Sequence, residues 1–166
     1  LKRLEYRGYD SAGITLIDPD NSTLVNHRVK GKVCSLKSRV AAHHYTSHTG
    51  IGHTRWATHG APAEHNAHPH TSSDSVSIVH NGIIENHTEL RHMLTELGYT
   101  FTSETDSEVI AHLLHHPLET TTEPTQALHQ VTQQLKGAYA IACIYKEQPS
   151  SIYVARKGSP LVIGVG

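Results

Sequence analysis

Cysteine is scarce: Cys34 and Cys143 are the only two in 166 residues, and neither lies in a Cys-x-x-Cys spacing. That excludes a disulfide framework and a zinc knuckle, and it fits a reducing, cytoplasmic setting. An excess of one charge is also absent, with 14 Lys plus Arg against 15 Asp plus Glu. No electrostatic reason follows to expect a nucleic-acid or anionic-membrane partner. Long apolar runs are missing too: none approaches the roughly 20 residues that span a bilayer. The opening Leu1-Lys2-Arg3-Leu4-Glu5 lacks the apolar stretch of a secretory signal. There is no internal repeat, heptad run or low-complexity tract. The length suits one domain over 1–166. The start at Leu1 rather than Met, and the end at Gly166 inside an apolar run, lead us to expect a domain cut at both ends.

Histidine is abundant, at 16 residues. His43, His44, His92, His115, His116 and His129 stand among polar neighbours, and most of the histidines are expected on the surface.

Alternation predicts strands at Ala12 to Ile17 and Thr23 to Val29, joined as a hairpin by Asp18-Pro19-Asp20-Asn21. Further short strands are expected at Gly50 to Thr54 and Ser75 to Val79, with a long loop from Thr58 to Asp74 between them. Ordered loops of that length tend to carry function. Asn86 to Leu97 reads as a helix with Leu90, Met93, Leu94 and Leu97 on one face, an Asn86/Glu89 capping pair and Gly98 as its end. A second helix is expected from Thr105 or Asp106, capped by Glu108, with Val109, Ile110, Leu113 and Leu114 inward and Pro117 as its stop. A third runs from Thr125 to Leu135, after a connection at Glu119 to Thr125. Strands return at Ala138 to Tyr145, Ser151 to Arg156 and Leu161 to Val165. Hairpin-length connections between strands, with helices grouped, predict an α+β fold of antiparallel sheets covered by helices.

Three polar segments carry potential chemistry. In His53-Thr54-Arg55-Trp56-Ala57-Thr58-His59-Gly60, Arg55 could clamp a carboxylate through two parallel hydrogen bonds, or stack as a surface residue on Trp56. In His80-Asn81-Gly82-Ile83-Ile84-Glu85-Asn86, the Asn-Gly pair suits a tight turn. Equally, the Asn81 amide and the Gly82 N–H could converge on a developing oxyanion, where such a donor contributes about 3 kcal/mol. In Glu104-Thr105-Asp106-Ser107-Glu108, capping needs only one acidic group, so Asp106 is free to pair with an ammonium.

Those segments, with Leu4-Glu5-Tyr6-Arg7-Gly8-Tyr9-Asp10-Ser11-Ala12-Gly13, Asn66-Ala67-His68-Pro69-His70, Gly137-Ala138-Tyr139 and the run from Gly158 to Gly164, resemble the class II glutamine amidotransferase domain of the glutamine:fructose-6-phosphate aminotransferase family. The resemblance covers nearly the whole chain. It implies an N-terminal-nucleophile hydrolase fold, a four-layer α/β/β/α sandwich of two antiparallel sheets, with no metal or cofactor. It further implies that L-glutamine is hydrolysed to glutamate by an N-terminal Cys whose own α-amino group manages protons. The ammonia would pass to a sugar-isomerase domain of the same parent chain, which would make glucosamine 6-phosphate, and the full-length protein would be a homodimer.

Carried over by position, Arg55, with Thr58 and His59, would hold the glutamine α-carboxylate and Asp106 its α-ammonium. Asn81 and Gly82 would form the oxyanion hole, Trp56 would gate the ammonia channel and Arg7 would lie beside it. The family's N-terminal Cys is not among these residues, and Cys34 and Cys143 are expected to be buried or partly buried thiols that cannot replace it. A polypeptide of these 166 residues is therefore expected to be inactive as a glutaminase. Two rivals stand beside this reading. One is a metal-dependent hydrolase built on His65, His68 and His70 with His53, His59 and His80. The other is a non-catalytic module that binds glutamine or a partner.

Overall fold

The structure, a computed structural model, describes residues 1–20, 22–120 and 123–165. Asn21 of the expected turn, Thr121 and Thr122 of the expected connection, and Gly166 lie outside the described residues.

Strands β1 (Ser11–Asp18) and β2 (Thr23–Lys30) form the expected antiparallel hairpin, in register from Ser11 opposite Lys30 to Asp18 opposite Thr23. After helix α1 (Val33–Ala41), strand β3 (Gly50–Arg55) pairs antiparallel with the other edge of β1, giving a sheet of order β2-β1-β3. The chain then runs through β4 (His70–Ser72), β5 (Val76–Ile84), α2 (His87–Glu96), α3 (Glu108–Leu118), α4 (Pro124–Gln134), β6 (Gly137–Tyr145) and β7 (Tyr153–Lys157). Its four strands make a second antiparallel sheet of order β4-β5-β6-β7.

Side chains alternate across a strand, so each sheet has two faces to cover. On β6, Tyr139, Ile141 and Cys143 join the main core under α2, α3 and α4, whereas Ala142 and Ile144 point to the first sheet. There Ile144 meets Ile17, Leu24 and Ile51, closing the two sheets face to face. Helix α1 covers the far side of the first sheet through Val33 and Leu36 on Ala12 and Val29. The result is the expected α+β sandwich of four layers. Where the chain from His68 crosses β1, a Cβ at Gly13 would overlap the His68 carbonyl oxygen, so only glycine fits that crossing.

Several local expectations need correction. Strand β5 does not stop at Val79 but continues to Ile84, so Asn81-Gly82 lies inside a strand flanked by β6 rather than in a turn. Residues 161–165 form no strand: they pair with no other strand among the described residues, and Val162 and Val165 are almost fully exposed. The Asn86 side chain caps nothing; it donates to the Gln134 carbonyl and accepts from the Lys136 N–H, both at 2.9 Å, tying α2 to the start of β6. Only Leu90 and Leu94 of the α2 stripe are buried, because Met93 and Leu97 fall at its margin. Glu108 is no cap either. Its carboxylate is buried and accepts from the backbone N–H and hydroxyl of both Thr102 and Ser103, and Pro117 is carried inside the last turn of α3. Cys34, expected at least partly buried, is exposed on α1. Among the histidines, His43, His44, His92, His116 and His129 are exposed, but His68, His70, His80 and His112 are buried.

Candidate active site

On β3, Ile51, His53 and Arg55 share the face turned toward the second sheet. Ile51 fills the inter-sheet core, and the two polar residues emerge beyond it. On β5, Val79 and Asn81 face back. The apolar filling thus gives way at one end of the sandwich to a cavity of about 170 Å³. Arg7, Arg55, Trp56, Thr58 and His59 line one side of it, and Asn81, Gly82 and Asp106 line the other. All eight residues singled out from the sequence border this one space.

Arg55 is buried, and its Nη2 donates to the carbonyls of His59 and Gly60, the latter at 3.0 Å. Its Nη1 reaches the Ala61 carbonyl at 3.5 Å and lies 3.7 Å from Asp10 Oδ1. Asp10 also accepts from Ser11 Oγ at 2.7 Å and from the Ala57 N–H. The guanidinium therefore shapes the 59–61 loop as well as bordering the cavity. A second clasp holds that loop: Glu104 accepts from Asn66 Nδ2 at 3.0 Å and the Ala61 N–H at 3.3 Å, while Asn66 Oδ1 accepts from the Glu104 N–H at 2.9 Å.

Asp106 does not cap α3. Oδ2 accepts from the Ile84 N–H at 2.8 Å, pinning the segment before α3 to the end of β5. Oδ1 lies 3.4 Å from Ser107 Oγ and 4.0 Å from His59 Nδ1, beside the cavity. Trp56 is exposed, its ring tilted 5.4 Å from that of Tyr9. Gly82 takes φ +139, where a Cβ would overlap the Ala138 carbonyl, so no side chain shields its backbone.

Histidines floor the site. His53 Nε2 meets Asn81 Oδ1 at 2.8 Å across the gap between the sheets. The His53 ring stacks on His68 with centroids 4.4 Å apart, and His68 in turn lies edge-on to His70. His80, on the other face of β5, hydrogen-bonds Ser107 Oγ through Nδ1 at 2.8 Å. Burial pushes His53, His68, His70 and His80 below the ordinary imidazole range, with neighbouring rings and Arg55 or Arg28 adding to the effect and Asp106 or Glu108 opposing it at His80 and His70. Burial thus favours the neutral form of the rings on this floor. Among the described residues, no group of three His, Cys, Asp or Glu side chains is arranged to hold a metal ion, so the geometry gives the metal-hydrolase rival no support.

Cys34 and Cys143 are outside the cavity lining, and burial pushes the Cys143 thiol up to about 12. Asp10, Asn66, His68 and Ser107 also take part in the site's framework. They lay within segments singled out in the sequence, but their partners are distant in the chain and only folding brings them together.

A polar cavity between two antiparallel sheets of an α/β/β/α sandwich defines a class, and comparison with known proteins agrees. The family model for the glutamine amidotransferase domain matches residues 53–164, and the chain belongs to that family. Over its whole length it is 57% identical to glutamine--fructose-6-phosphate aminotransferase [isomerizing] of Pseudomonas aeruginosa and 52% identical to that of Vibrio cholerae, spanning 27% of the length of each. Among solved structures, it resembles the glutamine phosphoribosylpyrophosphate amidotransferase of B. subtilis at 26% identity and TM-score 0.68, over 86% of this chain and 30% of that one. A glutamine aminotransferase class-II domain protein of Silicibacter pomeroyi shares the fold at TM-score 0.66 and 22% identity, over 92% of this chain and 71% of that one.

Proposed function

We propose that residues 1–166 form a glutaminase unit that binds L-glutamine in this cavity and, with a nucleophile supplied from outside these residues, releases ammonia. The observation that carries the reading is the convergence of Arg55, Asp106, Asn81 and Gly82 on one space. A guanidinium and a carboxylate match the two ends of a free amino acid, and the amide with the adjacent N–H matches the oxygen of its side-chain carbonyl.

In this reading Asp106 Oδ1 takes the α-ammonium. Arg55, with Thr58 and His59, takes the α-carboxylate, which replaces part of the carbonyl ligation that now holds the guanidinium. A cysteine thiol passes its proton to its own α-amino group, and the resulting thiolate attacks the glutamine amide carbon, moving the carbonyl electron pair onto oxygen, facing Asn81 Nδ2 and the Gly82 N–H. Collapse expels ammonia, protonated at nitrogen by the nucleophile's own α-amino group, and leaves a thioester. Water then attacks the thioester, giving glutamate and restoring the thiol. In this reading Trp56, exposed beside Tyr9, gates the path of the released ammonia, and Arg7, which also borders the cavity, lies beside that path.

We further propose that the parent protein uses the ammonia to convert fructose 6-phosphate to glucosamine 6-phosphate on a sugar-isomerase domain and works as a homodimer; the relatives' names support only the use of glutamine and fructose 6-phosphate in an isomerizing aminotransferase. A polypeptide of these 166 residues alone has no cysteine in the site and is expected to be inactive. In the whole protein, Asn81→Ala is expected to lower kcat by about 10²- to 10³-fold with little change in KM. Asp106→Asn is expected chiefly to raise KM for glutamine. If the two variants behaved alike, the assigned roles would be wrong.

A further inference from the structure

An amide serves an oxyanion only if its NH₂ end faces the substrate. With the amide reversed, Asn81 would present a carbonyl oxygen to the developing negative charge and repel it. Two groups of similar shape thus have opposite effects, and something must select between them. We propose that His53 is the residue that fixes the orientation of the Asn81 amide, a positioning role that rests on the oxyanion-hole reading above.

Among the described residues, one hydrogen bond holds the Asn81 side chain, between its Oδ1 and His53 Nε2 at 2.8 Å, while Asn81 itself is exposed and lines the cavity. A neutral imidazole carries one proton, and its location decides which amide end it accepts as partner. Among the described residues, His53 Nδ1 is buried with no hydrogen-bond partner. A proton there would be an orphaned buried N–H, which is rarer in proteins than an orphaned acceptor. The proton therefore belongs on Nε2, which donates to Asn81 Oδ1 and leaves Asn81 Nδ2 turned to the cavity.

The ring is itself held in place. It lies on His68 at an interplanar angle of 22°, and His68 Nδ1 accepts from the His80 backbone N–H at 3.3 Å, so His68 is fixed from β5, the strand that carries Asn81. Burial and the nearby Arg55 guanidinium favour the neutral ring, with Asp10 and the Asn81 bond opposing them. His53 reaches Asn81 from the facing sheet, 28 residues away in sequence. The bond thus couples the oxyanion donor to the strand that carries the carboxylate-binding Arg55.

The test is a kinetic double-mutant cycle in the whole glutaminase-competent protein, with Asn81→Ala as reference. His53→Ala is expected to lower kcat about 10- to 100-fold with KM for glutamine within about threefold, approaching the loss of an oxyanion donor. The double variant should be no slower than Asn81→Ala alone. His53→Gln, whose side-chain NH₂ can still donate to Asn81 Oδ1, should recover most of the loss. Nitrogen NMR should show Nε2 protonated in His53, and Asn81→Ala should perturb that signal.

If Asn81→Ala itself left kcat unchanged, the oxyanion-hole reading would fail and this inference with it. If Asn81→Ala were slow but His53→Ala were not, or if the two losses multiplied, the positioning role alone would be overturned. Should His53→Ala not fold, His53→Leu against His53→Gln makes the same comparison: equal kcat values would refute the proposal.

Discussion

One oxygen of Asp106 is committed to the fold: Oδ2 accepts from the Ile84 N–H at 2.8 Å, whereas Oδ1 accepts only a long bond from Ser107 Oγ at 3.4 Å and stands beside the cavity. The two functions can be separated by substitution. Asp106→Asn can keep an oxygen on Ile84 while removing the charge, so it should raise KM for glutamine about 10- to 100-fold, the equivalent of one charge-assisted hydrogen bond. Asp106→Ala also strands the Ile84 N–H, and should cost about 1–3 kcal/mol of stability in addition. Steady-state kinetics and denaturant titration of both variants distinguish the two effects.

Gly82→Ala should damage structure and catalysis together. The residue has φ +139, and an added Cβ would strike the Ala138 carbonyl in the paired strand β6. We expect a loss on the order of 3 kcal/mol, since backbone strain adds to the displaced strand contact. An unchanged thermal midpoint would contradict this geometry.

Acid should destabilise the fold through its buried histidines. His68 lies well below its ordinary value of 6.5 because burial disfavours the charged ring, with His53, His70, His80 and Arg55 adding, and His70 is pushed down to about 3. The unfolded chain takes up these protons below about pH 6.5 while the folded chain does not, so stability is full above that pH and falls as the pH drops toward about 3. At pH 5, a ring that stays neutral costs up to about 2 kcal/mol. Denaturant midpoints at pH 7.5 and pH 5 measure the fall, and replacement of the exposed His129 by Gln should leave it unchanged.

Neither cysteine should matter to turnover. An alkylating reagent should modify the exposed Cys34 in the native protein and spare Cys143, which is buried with its thiol pushed up to about 12. Cys34→Ser and Cys143→Ala should each keep kcat in the whole enzyme within about twofold, because neither thiol borders the cavity. Loss of glutaminase activity on modifying Cys34 would point to a different nucleophile.

Much of the fold was legible because local pattern and tertiary need agree. The β1–β2 hairpin and β6 alternate with period two, and the inward faces of α3 and α4 follow the helical period. The sequence failed where the deciding partner is remote. Asn81-Gly82 looks like a turn until β6 lies beside it, and Glu108 looks like a cap until Thr102 and Ser103 turn back onto it. Residues 161–165 have strand composition without a partner strand among the described residues. The cavity-lining residues stood out as polar segments that a core does not explain. The histidines beneath them stood out only as candidate metal ligands, because burial and ring tautomer depend on packing that spacing cannot show.

A crystal structure of the protein with L-glutamate bound shows directly whether the cavity holds the amino acid in one orientation. The expected result is the α-ammonium within hydrogen-bond distance of Asp106 Oδ1, the α-carboxylate on Arg55, and a γ-carboxylate oxygen near Asn81 Nδ2 and the Gly82 N–H. A ligand bound outside this cavity, or with its α-carboxylate at Asn81, would contradict it.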